Sequence, residues 1–244
     1  MTLVGRLRAA GCVFAEEEAE LLSASPSFSE ELVARRIAGE PLEYVLGWAE
    51  FMGTRFVIEP GVFIPRHRTE FLVRAAAEAA PASPVILDLC CGTGALGLSL
   101  LALVGGTLVA TDIDPAAVRC ARANGADAHE GDLFDAVPAS LRGRVDVLLA
   151  NTPYVPTSAI ALLPADFREH ELRTALDGGA DGLDLQRRVA AAASTWLAPG
   201  GAVYVEASED QAPVSVEIFE AAGLSARVLV DDYATVVRAS WQPG

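Results

Sequence analysis

An uncharged run from Leu89 to Thr111, long enough to cross a bilayer, is broken by five glycines, Gly92, Gly94, Gly97, Gly105 and Gly106, and bounded by Asp88 and Asp112. Glycines at this density and flanking acids rule out a lipid-exposed helix, so the run reads as a buried strand, a loop, a helix and a second strand. The same rhythm continues beyond it. Short β-rich runs at Val85–Leu89, Thr107–Thr111, Val145–Ala150, Ala202–Glu206, Ala226–Val230 and Ala234–Ala239 alternate with helix-like stretches, and a further strand is expected at Ala126–Glu130. Alternation of this kind predicts an α/β domain with a mostly parallel sheet covered by helices on both faces. Asp231 and Asp232 leave no room for a helical crossover between the last two runs, which must therefore be antiparallel.

The N-terminal part reads differently. Apolar residues at three-to-four spacing predict short helices over Val4–Ala10, Ala15–Ser23 and Ser29–Ala38. Gly39, Pro41 and Gly47 end that pattern, Trp48–Ile58 alternates around Gly53 as a hairpin, and Pro60 and Gly61 close it. The expected division is a small helical domain with a hairpin over residues 1–65 and the large α/β domain over 66–244, which begins with a helix at Thr69–Ala80. With 244 residues, 52% of them hydrophobic, the chain has enough apolar material for this.

A formal net charge of −15 argues against free nucleic acid as a partner, because phosphate binding relies on basic clusters. The cysteines Cys12, Cys90, Cys91 and Cys120 lack paired metal spacing, and His67, His129 and His170 share no metal or triad spacing, so no metal is expected. No secretory leader or membrane anchor is expected either, and cytoplasm is the expected compartment.

The segment Asp88-Leu-Cys-Cys-Gly92-Thr-Gly94-Ala-Leu-Gly97 follows a strand and opens a helix. There glycine lets the backbone approach a ligand and free N–H groups collect. With Asp112 about 20 residues on for ribose hydroxyls, the pattern suits a dinucleotide or an adenosyl cofactor. Asp88, Asp112, Asp114 and Asp132 cluster in sequence around the loop with no nearby arginine to balance a pyrophosphate. Such a site favours S-adenosylmethionine, whose sulfonium and ammonium are attracted by carboxylates. Asp88 is expected to attract both cations, Asp112 to hold the ribose, Asp132 to accept from the adenine amino group and Leu133 to cover the ring. A helix-entry cap at Asp88 and a solvated strand end at Asp112 are the structural alternatives.

Asn151-Thr-Pro-Tyr154 follows the run Val145–Ala150, at the carboxyl end of a parallel strand where ligands of open sheets bind. An amide or aromatic amine has a delocalised lone pair. Methylating it requires its two N–H groups to be drawn to fixed acceptors while the lone pair faces the methyl carbon. The Asn151 side-chain carbonyl and the Thr152 backbone carbonyl supply acceptors, Pro153 stiffens the turn and Tyr154 offers a flat face. In isolation the tetrapeptide is also a plain strand-ending turn.

Several segments together carry a resemblance: Gly39-Glu-Pro-Leu-Glu-Tyr-Val-Leu-Gly47, Phe63-Ile-Pro-Arg-His-Arg-Thr-Glu70, the glycine loop, Asn151–Tyr154 and Ala175-Leu-Asp-Gly-Gly-Ala-Asp-Gly-Leu183. Over nearly its whole length the chain resembles the HemK/PrmC family of protein N5-glutamine methyltransferases. The resemblance implies a class I methyltransferase fold, Rossmann-like, with a mostly parallel seven-stranded sheet and an antiparallel last strand. It implies S-adenosylmethionine as donor and, as acceptor, a glutamine amide in the Gly-Gly-Gln motif of a peptide-chain release factor, docked with help from the N-terminal helices. The site residues it implies are Asn151, Pro153 and Tyr154 for catalysis, with Thr152 joining them in substrate binding. For the cofactor they are Arg66, Thr69, Asp88, Cys90, Gly92, Gly94, Asp112, Ile113, Asp132, Leu133 and Asn151. Arg66 and Thr69 are expected at the cofactor entrance, with an Arg66–Glu70 ion pair as the structural alternative. Gly178, Gly179 and Gly182 are expected to shape a loop over the acceptor, with Asp177 or Asp181 capping the next helix. Two departures mark a related branch: Thr152 stands where the family usually has proline, and Leu172 follows Glu171 where proline is common. An amino-methyltransferase of nucleic-acid bases, an NAD-linked oxidoreductase and a catalytically silent cofactor-binding module remain the alternatives.

Overall fold

A computed structural model describes residues 1–242, the side chains of 165–167 excepted. The chain opens with helices α1 (Leu3–Ala9), α2 (Ala15–Ala24), α3 (Glu30–Ile37) and α4 (Leu42–Leu46), followed by the hairpin β1 (Trp48–Phe51) and β2 (Thr54–Val57). Helix α3 starts where its sequence predicts: the Ser29 hydroxyl accepts the Leu32 N–H at 3.3 Å, Glu30 and Glu31 lie in the first turn and Arg35 and Arg36 in the last. Each of these complements the free groups and dipole of the helix ends. The first helices bury Leu7, Ala15, Ala19, Leu22 and Val45 in a core of their own.

The large unit runs α5 (Glu70–Ala79), β3 (Val85–Leu89), α6 (Ala95–Val104), β4 (Thr107–Asp112), α7 (Pro115–Ala123), β5 (Ala128–Glu130), β6 (Val145–Ala150), α8 (Ala165–His170), α9 (Asp184–Trp196), β7 (Leu197–Ala207), α10 (Ala212–Ala221), β8 (Ser225–Val230) and β9 (Thr235–Ser240). Its seven strands are ordered β5-β4-β3-β6-β7-β9-β8. All pairings are parallel except β7 with β9 and β9 with β8. Thus β9 alone runs against the rest, and the closing hairpin inserts its second strand between β7 and the edge strand β8. The sheet alternates faces. Ile86, Val147 and Leu149 join the core under α5 and α6, while Leu87, Leu89, Leu148 and Ala150 join the core under α9 and α10.

Two details differ from expectation. Strand β7 begins at Leu197 rather than Ala202, because its register against β6 shifts between the pairs Val145–Leu197 and Val147–Ala202 and so absorbs Pro199 and Gly200 as a bulge. The hairpin also packs on the large unit. Phe51 and Phe56 enter the α5–α6 core, and the Asn124 carboxamide holds both the N–H and the carbonyl of Val57, at 2.7 and 3.0 Å. Among the described residues, no helix is long and apolar enough to cross a membrane.

Candidate active site

The order in which strands are added to the sheet reverses between the parallel neighbours β3 and β6, where open α/β sheets leave a crevice at their carboxyl ends. A cavity of about 1130 Å³ opens there, lined by residues that follow β3, β4, β6 and β7.

The wall after β3 and β4 is organised by Asp112. Its Oδ2 accepts the Gly92 N–H at 2.8 Å and its Oδ1 the Asp114 N–H at 2.9 Å. One hydrogen bond to each oxygen leaves lone pairs for hydroxyls of a ligand. Burial pushes the Asp112 carboxyl above its ordinary value, against the pull of those N–H groups. Cys90 and Leu133 also line the cavity and hold φ values of 55° and 50°, a left-handed region costly for residues with a Cβ and concentrated at functional sites. Leu133 is fixed by the Thr111 hydroxyl, which donates to its carbonyl at 3.0 Å. Ile113, 61% exposed, adds apolar surface.

Asp88 lies elsewhere than expected. It is 1% exposed, sits beneath the loop rather than in the cavity lining, and accepts the Gly97 N–H at 2.9 Å. It therefore takes the structural alternative, holding a first-turn N–H of α6 from beneath the loop. A Cβ on Gly97 would stand 2.8 Å from both Asp88 Oδ2 and Leu108 Cδ1, so only glycine lets the helix approach the strands this closely. Burial pushes Asp88 up to about 7, with the Asp112 charge adding to that and the Gly97 N–H opposing it. Gly94 likewise turns the chain without lining the cavity, while Gly92 lines it. Asp132 lines it too, with Oδ2 accepting from Arg188 at 2.8 Å.

The opposite wall is the tetrapeptide after β6: Asn151, Thr152, Pro153 and Tyr154 all line the cavity. Asn151 Oδ1 and Thr152 Oγ1 are buried and have no hydrogen-bond partner. Such atoms are costly to leave unpaired in a protein interior, which marks the place where a ligand with N–H groups would complete the site. The loop carrying Gly178 and Gly182 presses on this wall. A Cβ on Gly178 would meet the Pro153 carbonyl at 2.7 Å, and one on Gly182, at φ +82°, would collide with the Tyr154 carbonyl. Asp181 accepts the Leu183 N–H at 3.1 Å just before α9, and Asp177 accepts the Gly179 N–H, also at 3.1 Å, inside the loop.

Arg66 lines the cavity, but its carboxylate partner is Glu171, 105 residues away, rather than Glu70, which contacts His67 at 3.1 Å. Glu171 also accepts the Ile64 N–H at 3.3 Å, so the arm after the hairpin and the segment after α8 meet at one buried carboxylate. Burial pushes Glu171 up against the pull of Arg66. Thr69, 1% exposed, does not line the cavity; its hydroxyl donates to Glu206 Oε2 at 2.6 Å. Sequence reading missed Arg68, Glu171, Arg188, Glu206 and Gln211. Arg68 lies within the segment Phe63–Glu70, whereas Glu206, ending the otherwise uncharged run Ala202–Glu206, carries a signal of its own.

Taken together the residues fit an adenosyl sulfonium donor. A carboxylate-lined, partly apolar crevice closes on one side over backbone N–H groups, and unpartnered oxygen acceptors stand on the other.

Residues 53–163 match the family model described as the Methyltransferase small domain. A release factor glutamine methyltransferase of Geobacter sulfurreducens is 40% identical over 200 residues, covering 79% of this chain and 69% of the relative. A 4-amino-L-phenylalanine/4-methylamino-L-phenylalanine methyltransferase of Streptomyces pristinaespiralis is 36% identical over 203 residues, covering 78% and 69%. Among solved structures, a methyltransferase from Pyrococcus furiosus superposes with a TM-score of 0.60 at 16% identity, covering 88% of this chain and 100% of the other.

Proposed function

The chain belongs to the release factor glutamine methyltransferase family, and on that premise we propose that it transfers a methyl group from S-adenosylmethionine to the side-chain amide nitrogen of a glutamine in a peptide-chain release factor. The observation that carries this reading is the unpartnered Asn151 carbonyl oxygen on a cavity whose facing wall presents Asp112 and Gly92. When bound, S-adenosylmethionine supplies an electrophilic methyl carbon on a sulfonium. Asp112 would hold its ribose, Asp132 and Leu133 its adenine, and the backbone at Cys90 and Gly92 its amino-acid end. On the acceptor side the Asn151 Oδ1 and the Thr152 backbone carbonyl receive the two amide N–H groups, which turns the nitrogen lone pair toward the donor. No strong base is needed, because the proton leaves once the nitrogen is cationic. We assign protein docking to residues 1–65 and catalysis to 66–244, and place the protein in the cytoplasm with its translation-factor substrate.

A glutamine amide and an arylamine both present a planar NH2, so the test includes both. The protein is incubated with methyl-labelled donor and, separately, an intact release factor, the same factor with its Gly-Gly-Gln glutamine replaced by alanine, free 4-amino-L-phenylalanine, and DNA. Label on the intact factor and loss of it in the alanine form are expected. Label on the amino acid or DNA alone would overturn the assignment.

A further inference from the structure

Tyr154 is pinned by three separate parts of the chain. Its hydroxyl donates to Glu206 Oε1 at 2.9 Å and accepts from Arg68 Nη2, while its backbone carbonyl accepts from Gln211 Nε2 at 2.8 Å. Glu206 is the hub. Its side chain is 4% exposed, its Oε1 also accepts from Arg68 Nε at 2.9 Å, its Oε2 accepts from Thr69, and its backbone carbonyl accepts from Gln186 Nε2 at 3.1 Å. A buried carboxylate is tolerated only with partners of this kind. The contrast within one tetrapeptide is informative: Asn151 Oδ1 is unpartnered, whereas the phenol of Tyr154 already donates a hydrogen bond to Glu206 and accepts one from Arg68. The ring is what Tyr154 has left to offer the cavity it lines.

We propose that Glu206 and Arg68 are positioning residues that lock the Tyr154 ring as a wall of the acceptor pocket, with the phenol itself taking no part in proton transfer. This rests on the acceptor reading above. It gives β7 a role in the reaction: the end of β7 orients the residue that follows β6, its neighbour in the sheet.

The test compares Glu206→Gln, Arg68→Ala, Tyr154→Phe and the double variant Tyr154→Phe/Glu206→Gln. Each single variant is expected to lower kcat by on the order of tenfold, as small misplacements of reacting groups do, with KM for the release factor and Kd for the donor little changed. The double variant should be no slower than the slower single variant, since both changes act through one contact. Tyr154→Phe should leave the shape of the kcat–pH profile intact. A second readout needs no acceptor. With 3-fluorotyrosine at the four tyrosines, the fluorine resonance absent from Tyr154→Phe should move in both Glu206→Gln and Arg68→Ala. Multiplying rate losses, an unmoved resonance, or loss of a limb of the pH profile in Tyr154→Phe would overturn the proposal. Should Glu206→Gln fail to fold, Arg68→Ala, at a half-exposed side chain, decides the matter. A wild-type protein that methylates no release factor refutes the acceptor assignment, while the fluorine shifts still report on the lock.

Discussion

The cavity wall to which we assign the donor comes from one stretch of chain, residues 88–133, and is held largely by backbone N–H groups on carboxylates: Gly92 and Asp114 on Asp112, Gly97 on Asp88. The wall to which we assign the acceptor is a tetrapeptide whose supports come from far away. Arg68 reaches Tyr154 across 86 residues, Glu206 across 52 and Gln211 across 57. Backbone cradles tolerate side-chain change in their surroundings, whereas a side-chain network fails wherever one member is lost. Donor binding and methyl transfer should therefore be separable by mutation.

The largest expected effect is on the acceptor wall. Asn151→Ala should lower kcat by about 10²–10³, the usual cost of removing one preorganised polar group, while calorimetry finds donor affinity intact. Loss of donor binding in that variant would break the comparison. Asp112→Ala should do the reverse, weakening donor affinity by about 1.5–3 kcal/mol through lost charge-assisted hydrogen bonds; unchanged affinity would move the ribose site elsewhere.

Asp88 gives a stability effect with a definite sign. Its folded pKa, pushed up to about 7, lies above its unfolded value of 3.8. Its contribution is therefore fully present below about pH 4 and lost as pH rises through about 7. Asp88→Asn keeps an acceptor for Gly97 and should flatten that decline, gaining on the order of 2 kcal/mol relative to wild type between pH 4 and 8 in denaturant titrations. Parallel pH curves for the two proteins would refute the placement of Asp88. The smallest effect is expected at Arg188, whose bridge to Asp132 joins side chains 50% and 40% exposed. Arg188→Ala should change stability by less than about 1 kcal/mol; a larger fall in melting temperature would show that the donor wall also depends on side-chain pairs.

Legibility in the sequence followed the same division. The glycine loop, Asp112 and Asn151–Tyr154 could be read because each lies at a strand end that local periodicity locates. For Asp88 the sequence offered both a cation-facing role and a helix-entry cap and could not choose between them, since an acid before a glycine loop looks the same whether its carboxylate points into the crevice or under the helix. Arg66 lines the cavity as expected, but the ion-pair partner weighed for it in the sequence was the near acid Glu70 and the structure gives Glu171, because spacing along the chain shows only which partners are close in sequence.

What the amino-acid order determined alone is the strand–helix alternation, the antiparallel closing hairpin and the residues at the ends of β3, β4 and β6, since hydrophobic period and glycine chemistry act over a few residues. Tertiary structure decided the order in which strands lie side by side, and with it the meeting of Arg68, Tyr154 and Glu206. The physical reason is that contacts between distant segments depend on how whole elements pack, and no local pattern encodes which acid a half-buried tyrosine will meet.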